Sequence, residues 1–87
     1  MKEIMAVEVE NLTIRYFRTE GEACCDDGKN RIFGISAAKY IGDNEEERAD
    51  AGYISENMAY VDELIAILGK NSVTPMVLGE ILDELIA

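Results

Sequence analysis

The hydrophobic period of this chain changes once, near Ser55, and that change limits the folds open to it. Before it, apolar side chains recur at every second residue; after it, they recur at the 3.6-residue spacing of an α-helix. Met58, Val61, Leu64, Ile65 and Leu68 fall within about 120° of a helical wheel. Ser55 or Asn57 can cap the start of this helix. Gly69 stands where a left-handed residue would end it, with Lys70 near its negative pole. A second helix opens at once, with Thr74 as N-cap and Pro75 at the first helical position. Val73 and Leu78 match a hydrophobic staple. Val77, Leu78, Ile81, Leu82, Leu85 and Ile86 then span about 180° of the wheel, with Glu80, Asp83 and Glu84 on the far side. The spacing predicts an αα-hairpin over residues 55–87.

The first 54 residues read as strands. Met5, Val7 and Val9 alternate with Ala6, Glu8 and Glu10; after Asn11 the apolar set becomes Leu12, Ile14 and Tyr16. A parity change means a bulge or a break. The reading favours one long strand over residues 4–19 with a bulge near Asn11, two strands being the alternative, since Glu10-Asn11 makes a poor two-residue turn. Asp27-Gly28 is a turn signal within the tip 21–30, followed by a returning strand, Arg31 to Ile41, with Phe33, Ile35, Ala37 and Ile41 inward. After a turn at Gly42-Asp43-Asn44, a short strand from Glu45 to Tyr53 puts Ala49, Ala51 and Tyr53 inward and Glu46, Arg48 and Asp50 outward. The small residues Gly34, Ala37, Ala38, Ala49, Ala51 and Gly52 would let helices approach the sheet closely.

Composition excludes more than it assigns. There is no histidine, which removes the commonest general base and metal ligand and rules out serine–histidine or cysteine–histidine catalysis within one chain. Two cysteines cannot build a four-cysteine zinc site. The 18 acids against 8 bases give a net charge of −10, dispersed along the chain. Such a surface repels phosphates and anionic lipid heads, so neither nucleic acid nor membrane is expected as a partner. No apolar run approaches the roughly 20 residues that cross a bilayer, and Met1-Lys2-Glu3-Ile4 lacks the apolar core of a signal peptide. The expectation is a cytoplasmic protein.

Few residues could carry chemistry. Cys24 and Cys25 are adjacent, a spacing that strains a mutual disulfide; with Asp26 and Asp27 they could bind a soft metal ion, against the plainer reading of two reduced thiols. Asp26-Asp27-Gly28-Lys29-Asn30 lacks the alternating ligands and closing glutamate of a calcium loop. Glu45-Glu46-Glu47, with Asp43 and Asp50, reads as a solvated charge run rather than an acid–base pair. The second helix carries Glu80, Asp83 and Glu84 and no base, so it cannot read a DNA groove as a recognition helix does. Tyr16, Tyr40, Tyr53 and Tyr60 suit either monomer packing or an interface. The Gly residues 21, 28, 34 and 42 are scattered and form no phosphate loop.

Asp27-Gly28-Lys29 through Phe33-Gly34-Ile35, Ile54-Ser55, Val61-Asp62-Glu63-Leu64, Asn71-Ser72-Val73-Thr74-Pro75 and the closing Ile81-Leu82-Asp83-Glu84-Leu85-Ile86 resemble a family of short bacterial proteins of unknown function. Phe33 stands where that pattern has tyrosine. The resemblance covers the chain from about Glu22 onward. It implies a strand–strand–helix–helix order and transfers no catalytic residue and no ligand.

The expected fold is α+β: a single domain, residues 1–87, with a small antiparallel β-meander of about three strands and a C-terminal αα-hairpin packed on one face. The expected core is Ile14, Tyr16, Phe33, Ile35, Val61, Leu64, Ile65, Leu68, Val77, Leu78, Ile81, Leu82 and Leu85. The functional expectation is a non-enzymatic interaction or regulatory module, with no cofactor and no catalytic or metal residue, whose partner is a second copy or another protein. The alternative is a thiol or metal site at Cys24 and Cys25.

Overall fold

Four antiparallel strands form one sheet in the order β1-β2-β3-β4: β1 (Lys2–Val9), β2 (Leu12–Cys25), β3 (Gly28–Ile41) and β4 (Asn44–Ser55). Two helices follow, α1 (Met58–Lys70) and α2 (Leu78–Ile86), the second entered through a 3-10 turn at Pro75–Val77. This computed structural model describes residues 1–25 and 28–86, and the side chains of all of these except 23–25, 28 and 29. The meander and the order of elements agree with the expectation; the sheet has four strands where about three were expected. The extra strand comes from Glu10-Asn11. These residues form a two-residue turn, with Val9 paired to Leu12, rather than a bulge inside one strand. Glu10 takes the positive φ of 56° that tight hairpins require. Such a turn pairs odd positions of one strand with even positions of the next, Val7 with Ile14 and Met5 with Tyr16. The parity change at Asn11 was therefore a hairpin signal.

One face of the sheet is dry. Ile14, Tyr16, Phe33, Ile35 and Ala37 meet Val61, Leu64, Ile65 and Leu68 of α1, with Val73, Leu78 and Leu82 completing the core. Val77 and Ile81 are partly buried against it. Leu85, expected in the core, is 37 % exposed, because α2 leans chiefly on β4 and the 3-10 turn and its last turn runs past the apolar layer. Ile41, at the end of the sheet, is also exposed. Of the small residues, Ala37 is buried under the helices and Ala49 and Ala51 pack against the core. Gly34 and Ala38 pair with Thr19 and Arg15 on the opposite face.

Three contacts fasten α1. Asn57 caps it, its side chain accepting from the Tyr60 amide at 3.2 Å, while the Ser55 hydroxyl accepts from the Asn57 amide at 3.0 Å. Arg18 Nη1 reaches both carboxylate oxygens of Asp62 at 2.7 Å, in a partly buried pair between sheet and helix. The Tyr16 hydroxyl donates to the carbonyls of Val73 at 2.7 Å and Leu68 at 3.3 Å, pinning the chain between the helices to the sheet.

Gly69 is not the left-handed residue expected at the helix end. Asn71 is the C-cap, and Ser72 takes the positive φ of 50°. The Ser72 amide donates to Gly69 O at 3.1 Å and the Val73 amide to Leu68 O at 3.0 Å, a Schellman closure with Val73 and Leu68 both buried. Gly69 brings the helix close onto β1: a Cβ there would overlap the Met5 sulfur, and the thioether would have to turn aside. Gly69→Ala is expected to destabilise the protein by at most about 1 kcal/mol, since the Met5 thioether can turn aside and alanine favours the helix. Met5→Ala combined with it should recover part of that loss, and a double-mutant cycle in urea reads the coupling. Strict additivity would place the conflict elsewhere.

Candidate functional site

The site is built by an irregular strand. Three register shifts each insert one residue into β4: near Glu46, between Asp50 and Tyr53, and at Ile54. The middle one contains Gly52 at φ 75°. Ala49 and Ala51 lie inward as expected, but the shift at Gly52 passes the inward role to Ile54 and leaves Tyr53 58 % exposed. Tyr53 was expected inward, and the bulge reverses its face. The phenol end of Tyr53 lies over Gly21 of β2, where a side chain would collide with it.

Against this stretch of β4 lies α2. Leu78 and Leu82, one turn apart, are buried; Gly79 has open space where a side chain would stand; Leu85 and Ile86 (45 % exposed) continue the stripe into solvent. Between the two elements runs a groove of about 320 Å³ lined by Ala51, Tyr53, Ile54, Gly79, Leu82, Asp83 and Ile86. Its one charged wall residue is Asp83. Glu80 and Glu84 stand on the same helix, and among the described residues no base pairs with any of the three.

Elsewhere, four bases are already occupied. Arg15 pairs with Glu3 at 2.9 Å, Arg31 with Glu20, Lys39 with Glu47 at 3.5 Å and Arg48 with Glu45 at 2.7 Å. On the uncovered sheet face Arg15 lies over the Tyr40 ring and Arg48 over that of Phe17, with centroid distances of 5.6 and 5.5 Å. The hydrogen bond from Arg48 holds the Glu45 carboxyl below its usual range, and Glu45 in turn strengthens the hold of Arg48 on its proton. That cluster satisfies itself.

The acidic run is taken apart by strand geometry. Glu45 turns to Arg48 and Tyr40, Glu47 to Lys39 on the other face, and Asp50 accepts from the Gly52 amide at 2.9 Å. No two of these carboxylates are brought together to share a proton. Tyr16 is a core clamp, Tyr60 packs against the core and Tyr40 bonds Glu45; Tyr53 borders the groove while its phenol lies over Gly21 on the other face. Cys24 and Cys25 lie on β2, in register with Lys29 and Gly28, and their side chains fall outside the described residues, as do Asp26 and Asp27. Among the described residues no group of three or more acids or cysteines could hold a metal ion, and no helix is long and apolar enough to cross a membrane. The groove itself was not anticipated; its signal was the excess width of the α2 apolar stripe.

The model of DUF6514, a family of unknown function, matches residues 1–87, and the chain belongs to that family. The match includes the N-terminal hairpin as well as the segments quoted above. No curated protein and no solved structure matches the chain.

Proposed function

We propose that this member of DUF6514 is a small protein-interaction module without catalytic activity, acting in the cytoplasm on a protein rather than on nucleic acid or a membrane. The observation that carries the reading is the apolar groove between β4 and α2. Leu85 and Ile86 extend an apolar stripe that the protein's own core leaves uncovered. Exposed apolar surface rimmed by polar groups is the usual mark of a docking site. The absence of histidine and the dispersal of the carboxylates over two sheet faces favour binding over chemistry.

The test compares capture from native lysate by the immobilised protein and by an Ile86→Ser variant. Ile86 is exposed, so the variant should keep its circular dichroism and melting temperature. The reading expects a protein held by the original chain and released by the variant. Identical capture by both, or capture by neither, would overturn it.

A further inference from the structure

Resting on that reading, we infer that the groove receives one face of a cationic amphipathic helix supplied by another protein. The apolar side chains of that helix would seat against Ala51, Ile54 and Leu82, and its Lys or Arg heads would lie along the acids of α2. Three features select this occupant.

The first is charge. All charged residues of α2 are acidic, and Asp83 forms part of the groove wall. Asp83 and Glu84 stand in the last turn, against the negative end of the helix dipole, and no base is present there to offset it. The free protein therefore carries an electrostatic conflict that a cationic partner relieves. The second is the strand edge. With three inserted residues, β4 presents a broken ladder to any incoming strand, which disfavours β-addition and leaves helix-in-groove docking. The third is self-exclusion. A second copy entering this groove by its own α2 would set Glu80, Asp83 and Glu84 against the same acids, and each copy carries −10.

The experiment titrates the isotope-labelled full chain with a synthetic amphipathic helix of leucine and lysine. Controls are the same residues in scrambled order and the same helix with glutamate for lysine. The amides of Ala51, Ile54, Gly79, Asp83 and Ile86 should shift. Affinity should fall about tenfold in an Asp83→Asn, Glu84→Gln double variant and about tenfold in Ile86→Ser, and the scrambled peptide should bind at least tenfold more weakly. The double variant should also melt higher than the original when free. Equal binding of the scrambled peptide, or shifts spread over the whole surface, reduces the effect to general attraction by a polyanion and overturns the inference. Occupation of the groove by the glutamate helix overturns the cationic preference and leaves the interaction site standing. A groove that responds to none of the peptides overturns both.

Discussion

Gly34→Val should lower the melting temperature by roughly 12–24 °C, the shift expected when a domain of this size loses about 3 kcal/mol. Gly34 is buried in β3, opposite Thr19 and Tyr53 on the flanking strands. A Cβ at this position would overlap the carbonyl oxygen of Gly52 and come within 2.7 Å of the Thr19 hydroxyl. The conflicting group at Gly52 is backbone, fixed by the bulge, so no rotamer change can relieve it. Folded domains of this length have a margin of about 5–15 kcal/mol, and a loss of this size is a large part of it. The contrasting substitution is Gly79→Ala. Gly79 sits in α2 with open space around the missing side chain, so alanine should stabilise by up to about 1 kcal/mol through helix propensity. Thermal melts of the two variants should move in opposite directions. A Gly34→Val protein that melts with the original would mean that β3 and β4 do not approach as described.

The second large effect belongs to Tyr16. Its side chain is fully buried and its hydroxyl donates to Val73 and Leu68 carbonyls. Tyr16→Phe leaves the Val73 carbonyl without that donor and should cost about 1–2 kcal/mol at neutral pH; Tyr16→Ala should cost about 3–5 kcal/mol through the cavity as well. Burial pushes the phenol from 10.0 up to about 12. The folded protein thus holds this proton more tightly than the unfolded chain. Its contribution is complete below pH 10 and declines as pH rises toward 12, by about 1.4 kcal/mol per unit. The stability advantage of the original over Tyr16→Phe, measured by urea denaturation, should be constant up to pH 10 and vanish near pH 11. A difference that stays flat through pH 12 would show that the hydroxyl is not buried in the folded state.

What the sequence revealed follows from how locally each signal is encoded. The helices were legible because their signals fall within one segment: Asn57 and the Val61-to-Leu68 stripe lie where expected, and Thr74-Pro75 opens the second helix, though through a 3-10 turn and without a side-chain cap from Thr74. Ten of the thirteen expected core residues are buried, since alternation in β2 and β3 and the 3.6 period in α1 point at the same layer. The misreadings fall where geometry depends on a second strand. Glu10 lacks the usual chemistry of a tight turn, and it takes the pairing of Met5 with Tyr16 to tell whether the parity change at Asn11 is a bulge or a hairpin. The inserted residues in β4 are defined against β3, so the reversal of Tyr53 could not be read from β4 alone. Gly69 illustrates the same limit: its role depends on Met5, sixty-four positions earlier. The groove shares this origin, being a product of the Gly52 bulge and the short reach of α2 together.

The irregularity of β4 has a further consequence at the level of many molecules. An open sheet has two free borders, and here they are unlike: β4 is interrupted in three places, whereas β1 keeps an unbroken ladder from Met5 to Val9. Fibre growth or strand exchange between destabilised chains needs a straight border to copy. Of these two borders β1, shifted only between Glu3 and Met5, is the straighter, so accretion is expected to favour the N-terminal side, where the charges of Lys2, Glu3 and Glu8 oppose it.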